Sequence, residues 1–242
     1  MNNITKLLHK PGFQEVQGWL NLRVLNVLNA WSEVYREHFI TNEAIAPALE
    51  IGVHHGRLFL GLEAITPEDV ECFALDVFDD QERNIDNSGK GNLGVFLSNV
   101  NSLARNPSRV VPVQADSFSV NSCRELSHSY SVISIDGGHT REHAGSDLNY
   151  ANNTIKPGGL IILDDFNNVN WLGVMEGTLD FLNKPDRRIA PFMAGYNKLF
   201  LTTITESQKM RIAMEQSISE NNPDITIKRL STLRGHIVRA LM

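Results

Sequence analysis

Four side chains in two short motifs carry the densest reactive chemistry of this 242-residue chain. Asp136 and His139 stand in Ser134-Ile135-Asp136-Gly137-Gly138-His139, and Asp164 with Asp165 closes the run Gly159-Leu160-Ile161-Ile162-Leu163-Asp164-Asp165. Each motif is an apolar run that stops at an acid. If the runs are neighbouring strands, their backbones lie about 5 Å apart and the three carboxylates meet at one rim. Carboxylates that close repel one another unless protonated or bridged by a cation. An all-oxygen set with room for water suits Mg²⁺ or another hard divalent cation, Mn²⁺ or Ca²⁺, rather than zinc. His139 follows Asp136 by three residues across two glycines, a chain that can fold back over the same rim. With an ordinary pKa of about 6.5, its imidazole can accept a proton at neutral pH.

Three other apolar runs stop in ways that suit a nucleoside. The first ends Glu50-Ile51-Gly52-Val53-His54-His55-Gly56, a glycine-bearing turn where backbone can approach a ligand closely. Asp76 ends the second, 24 residues after Gly52, about where a strand-end acid meets a pair of ribose hydroxyls. Gln114-Ala115-Asp116-Ser117 ends the third and offers a carboxylate and a hydroxyl to an adenine amino group. Any of these acids alone could simply cap a following helix. His54, His55, His128 and His143 lack comparable company and read as loop or helix residues.

Such residues work together only on a shared scaffold. From residue 48 onward, β-type apolar runs (Ala48–Val53, Cys72–Val77, Arg109–Val113, Ser131–Ile135, Leu160–Leu163 and Lys198–Thr202) alternate with polar, helix-compatible segments. That alternation predicts βαβ units in an α/β domain whose parallel sheet is covered on both faces, with ligands at the carboxyl ends of its strands. The expected division is an N-terminal helical segment over 1–45, the main domain over 46–204 and a helical C-terminal extension over 205–242. Val16, Leu20, Val24, Val27, Leu28, Trp31, Val34 and Tyr35 follow a helical period, as one long helix or two short ones. Leu230, Leu233, Ile237, Val238 and Leu241 fall on one helical face that would dock on the body or a second subunit, or else on a membrane surface. The polar stretch Asp79–Leu93 is either a lid or a plain surface loop.

Composition narrows the classes. At 42% hydrophobic and 21% charged residues, the chain is of ordinary globular type and long enough to bury a core without disulfides or a structural metal. A net charge of −6 argues against nucleic acid as a partner, although residues 205–242 carry six basic side chains against four acidic ones. Two cysteines 51 positions apart form no zinc or disulfide pattern and fit a reducing cytoplasm. The longest apolar runs are strand-sized, so neither secretion nor a membrane span is expected.

EIGVHHG, ALDV, QADS, IDGGHTREHAGSDL and KPGGLIILDDF, in that order, resemble the class I S-adenosylmethionine-dependent methyltransferases, and among them the metal-dependent macrocin O-methyltransferase-like group that acts on sugar hydroxyls. The resemblance covers roughly residues 46–204 and is most specific at DGGH and LDDF. It implies a Rossmann-like fold with a seven-stranded, mostly parallel sheet and helices on both faces. It also implies S-adenosylmethionine bound by Glu50 and Gly52 at the methionine and ribose end, with Val53, Gly56 and Val77 beside them in the same motifs. Asp76 would hold the ribose hydroxyls, Asp116 and Ser117 the adenine, and Asp136 both cofactor and metal. Asp136, Asp164 and Asp165 match the metal ligands, for Mg²⁺ or another divalent cation, and His139 the general base. His54-His55 and Arg141 depart from the pattern, which puts the substrate in question more than the cofactor.

The expected acceptor is a saccharide-containing small molecule, with Asn167, Asn168 and Trp171 as part of its pocket or Trp171 as ordinary packing. A homo-oligomer is compatible with this reading. Two rivals remain. A nicotinamide-dependent oxidoreductase would also use Asp76, but GxGxxG is missing and the acid trio has no purpose there. A non-catalytic relative has no reason to keep a costly cluster of like charges.

Overall fold

Apolar runs without polar alternation need cover on both faces, and here they receive it. The computed structural model describes residues 1–40 and 45–242, without the side chains at 229 and 230. Strands β1 (Ala48–Ile51), β2 (Cys72–Asp76), β3 (Val110–Gln114), β4 (Tyr130–Ile135) and β5 (Ile155–Leu163) pair in parallel in the order β3-β2-β1-β4-β5. Beyond β5 the sheet continues antiparallel through β7 (Lys198–Thr203) to β6 (Ile189–Gly195).

Successive residues of β4 and β5 enter opposite apolar layers. Ile133, Ile135, Ile161 and Leu163 pack with Ala144 and Leu148 of α5 (Arg141–Thr154) and with Val174 and Phe181 of α6 (Leu172–Leu182). Val132, Leu160 and Ile162 belong to the other layer, with residues of α2 (Arg23–His38), α3 (Phe59–Ile65), α4 (Leu93–Leu103) and α7 (Ser207–Asn221). Each fully buried aliphatic or aromatic side chain contributes about 1.5–3 kcal/mol, so the two layers clamp the sheet from both sides and hold its strand ends in place.

Among the described residues the sheet has nine strands rather than the expected seven, and the α-helix of the C-terminal segment, α7, ends at Asn221. Residues 227–241 form a hairpin, β8 (Ile227–Leu233) and β9 (His236–Leu241), with β9 parallel to β6. The apolar spacing that suits a helical face suits a strand pair equally well. Arg234-Gly235 decides between them: both residues have positive φ (50° and 81°), and the Leu233–His236 pairing makes them a two-residue hairpin turn. Val238 and Leu241 face the interior, while the Leu230 side chain lies outside the described residues.

At the N-terminus a short helix, α1 (Asn3–Leu8), precedes α2. Val16 and Leu20 fit the helical period of the sequence but lie before the helix begins, where Gly12 and Gly18 at positive φ interrupt it. The expected boundary at 45/46 adjoins residues 41–44, which lie outside the described residues. Among the described residues no helix is long and apolar enough to cross a membrane.

Candidate active site

The loops after β1, β2, β3, β4 and β5 border one cavity of about 800 Å³. Of the residues singled out by sequence, Gly52, Asp76, Val77, Asp116, Ser117, Asp136, His139, Asp164 and Asp165 all line it. Glu50, Val53 and Gly56 do not. Glu50 points into the protein at 2% exposure, its Oε2 has no hydrogen-bond partner, and burial pushes its acid up to about 8 against the pull of Lys198. Val53 joins the apolar layer under α3, and Gly56 packs against the Phe96 ring.

One half of the cavity is fixed by backbone. Gly52 has φ of 82°, and a Cβ there would lie 1.8 Å from the Asp136 carbonyl oxygen, so only glycine lets the ends of β1 and β4 meet. Asp76 accepts from the backbone N–H groups of His54 (2.7 Å) and Phe78 (2.6 Å), one on each carboxylate oxygen. Asp116 accepts from the N–H of Phe118 (2.9 Å) and so caps the turn after β3. His143, set aside in the sequence for want of company, also lines the cavity, 3.7 Å from Asp116 with its ring against Phe118. Burial lowers its pKa against the pull of Asp116.

The other half is ionic. His139 Nε2 lies 2.9 Å from Asp165 Oδ2, and Nδ1 lies 2.8 Å from Oδ2 of Asp86. Asp86 comes from the Asp79–Leu93 stretch, which folds across the cavity as a wall, and its Oδ2 also accepts from the His139 N–H (2.7 Å). No spacing rule pointed to Asp86, because loops carry no periodicity. Burial disfavours the imidazolium, but the hydrogen bonds with Asp165 and Asp86 outweigh it, and the His139 pKa is raised. Burial likewise works against a charged Asp86, yet hydrogen bonds from Ser88 and His139 hold its carboxyl well below the usual range. The Trp171 indole stacks on the His139 ring at 4.3 Å while lining the cavity.

Asp165 has φ of 58°, a left-handed conformation that turns its carboxylate toward His139. Its Oδ1 accepts from Asn168 (2.7 Å) and Asn197 (2.5 Å). Asn168 lines the cavity and Asn167 does not. Asp164 is bound differently. Its Oδ2 accepts from the buried Lys198 ammonium, and its Oδ1 accepts from the Asp165 N–H (2.8 Å). The sequence placed Lys198 in a strand without assigning it a role. Tyr196 and Asn197, which precede it, also border the cavity and form the two-residue turn of the β6–β7 hairpin, both at positive φ (55° and 69°).

A divalent cation fits these residues. Ligand atoms of Asp136, His139 and Asp165 lie within 4.8 Å of one another. The Asp136 carboxylate makes no hydrogen bond or ion pair among the described residues. Burial, together with the charges of Asp164 and Asp165, raises its acid well above the ordinary range. A buried carboxylate among carboxylates is eased by a cation more than by any other ligand.

Residues 49–166 match the family described as a methyltransferase domain. No curated protein matches the sequence. Three solved structures share the fold at low identity. The O-methyltransferase NovP is 14% identical over 76% of this chain and 80% of its own, with a TM-score of 0.59. CalS11, a TDP-rhamnose 3'-O-methyltransferase, is 14% identical over 83% of this chain and 91% of its own, with a TM-score of 0.53. The MycE methyltransferase, in complex with Mg, SAH and mycinamycin VI, is 18% identical over 81% of this chain and 55% of its own, with a TM-score of 0.51. The sheet formed by the first seven strands is Rossmann-like, as in these structures, and β9 and β8 lie beyond β6 at its edge.

Proposed function

We propose that this chain is an S-adenosylmethionine-dependent methyltransferase that methylates a hydroxyl group of a sugar or glycosylated small molecule, with a divalent cation and with His139 as the base. The observation that carries the reading is the His139 imidazole set between two carboxylates, 2.9 Å from Asp165 and 2.8 Å from Asp86, in the cavity that Asp76 and Asp116 also line. The likeness to CalS11, a TDP-rhamnose 3'-O-methyltransferase, supports a saccharide acceptor.

In this reading Asp76 receives the ribose hydroxyls on the carboxylate edge that its two backbone donors leave accessible, and Asp116 with Ser117 receives the adenine amino group. The methyl donor would supply an electrophilic carbon, and Asp136 and Asp165 would hold a divalent cation whose Lewis acidity would favour loss of the acceptor hydroxyl's proton. Asp86 holds the proton on His139 Nδ1, which makes Nε2 the basic nitrogen. Nε2 takes the proton of the acceptor hydroxyl, and that oxygen bonds to the methyl carbon as the methyl carbon–sulfur bond of the sulfonium breaks and S-adenosylhomocysteine leaves. Trp171 fixes the imidazole plane and offers its outer face to a sugar ring. Alignment of acceptor oxygen with methyl carbon by these fixed groups supplies much of the remaining acceleration.

The test is transfer of labelled methyl from S-adenosylmethionine to a panel of nucleoside-diphosphate sugars and glycosides, with and without EDTA. Label in a saccharide product, lost with EDTA and restored by Mg²⁺, is expected. Transfer to catechols alone would move the acceptor away from sugars, and a rate indifferent to EDTA would remove the cation.

A further inference from the structure

We infer that Lys198 takes Asp164 out of the cation's ligand set, so that the centre holds its divalent ion through two carboxylates, Asp136 and Asp165, instead of three. The inference rests on the cation proposed above and assigns its ligands.

Asp164 and Asp165 are adjacent in the chain but are used in different ways. Lys198 begins β7, its side chain is 3% exposed, and its ammonium is bonded to Asp164 Oδ2. The second oxygen of Asp164 is committed as well, to the Asp165 N–H at 2.8 Å and to Asn197 at 3.5 Å. The three side chains whose ligand atoms gather within 4.8 Å are Asp136, His139 and Asp165, without Asp164. One tight turn explains the split. Tyr196-Asn197 closes the β6–β7 hairpin, sends Asn197 to Asp165 Oδ1 at 2.5 Å, and delivers Lys198 to Asp164.

Freeing Asp164 to reach a cation would leave a buried ammonium without its partner, and removing one member of a buried pair is strongly unfavourable. Mg²⁺ does not require a third carboxylate. It keeps several waters and commonly binds through one or two carboxylates, which leaves positions for an acceptor oxygen. Lys198 is thus a positioning residue: it neutralises one acid so that the remaining two, with the His139 imidazole beside them, face the cavity.

The experiment is Mn²⁺ titration of the full chain, followed by electron paramagnetic resonance, which reads ion binding without turnover. The double variant Asp164→Asn/Lys198→Met removes one negative and one positive charge together, and Asn keeps the acceptor for the Asp165 N–H. The inference expects Mn²⁺ affinity within about a hundredfold of wild type, the range of lost outer-sphere support, whereas Asp165→Asn weakens binding by more than about a hundredfold. A loss beyond about a hundredfold in the double variant would overturn it, because Asp164 would then be a ligand. Asp164→Asn/Lys198→Gln, which retains a hydrogen bond across the pair, repeats the comparison if the first variant melts early. Wild-type protein that binds no Mn²⁺ overturns the cation reading and the inference together. Wild-type binding that is lost only in the double variants overturns the inference alone.

Discussion

The two halves of the cavity are built on opposite electrostatic plans. In the half formed by the ends of β1, β2 and β3, the acids are held by the main chain: Asp76 by the N–H groups of His54 and Phe78, Asp116 by that of Phe118. In the half formed by the ends of β4 and β5, the start of β7 and the Asp79–Leu93 stretch, charges hold one another: Asp86 and Asp165 hold His139, and Lys198 holds Asp164. Backbone donors are fixed by the fold and cannot reorganise, which fits the nucleoside site proposed above. Mutually held charges change when one of them gains a new partner, which fits the proton transfer proposed above.

The comparison breaks if damage to one half does not stay there. The largest effect is expected from His139→Ala, which should lower turnover by about a hundredfold to ten-thousandfold while leaving affinity for S-adenosylhomocysteine nearly unchanged. Steady-state rates beside calorimetry measure both, and retained turnover would reject the imidazole as base. Asp76→Asn should do the reverse: nucleoside affinity weaker by about tenfold to a hundredfold, the worth of a charged hydrogen bond, with turnover at saturation altered far less. A drop in saturated rate equal to the drop in affinity would merge the two halves.

A smaller effect sharpens the boundary between them. Asp147 of α5 is fully buried behind the binding half, and a Cβ on Gly137 would lie 3.1 Å from its Oδ2. Neither of its oxygens has a hydrogen-bond partner, and burial pushes the acid up to about 7. A folded-state pKa above the unfolded value means that proton binding favours the fold. That contribution is complete below the unfolded pKa of about 3.9 and fades as pH rises toward the folded value, by about 1.4 kcal/mol per pH unit. Asp147→Asn does not titrate, so its melting temperature relative to wild type should climb between about pH 4 and pH 7 and then level off. A difference that stays constant with pH would mean that Asp147 is charged throughout.

The same contrast explains what could be read in advance. Asp76, Asp116, Asp136 and Asp165 were legible because each ends a strand, and strand ends in a parallel sheet converge on one rim. The core was legible for a related reason: continuous apolar runs have no other stable use than a sheet covered on both faces. Asp86 was not legible, since it reaches His139 from a loop whose path no period encodes. Lys198 reads as one more residue of an apolar run, and only the turn at Tyr196-Asn197 gives it an acid as partner. The hairpin at 227–241 was missed because its apolar spacing satisfies both helix and strand, and the two-residue Arg234-Gly235 turn was the deciding signal. Glu50 lies at the expected place in the chain but on the inward side of β1, where alternation along the strand turns it from the cavity.

The most direct test of the account is calorimetric titration of the full chain with S-adenosylhomocysteine and, separately, with NADH. Saturable binding of S-adenosylhomocysteine in the micromolar range, weakened in Asp76→Asn and retained in His139→Ala, is the predicted result. Selective binding of NADH, with no heat from S-adenosylhomocysteine, would contradict it.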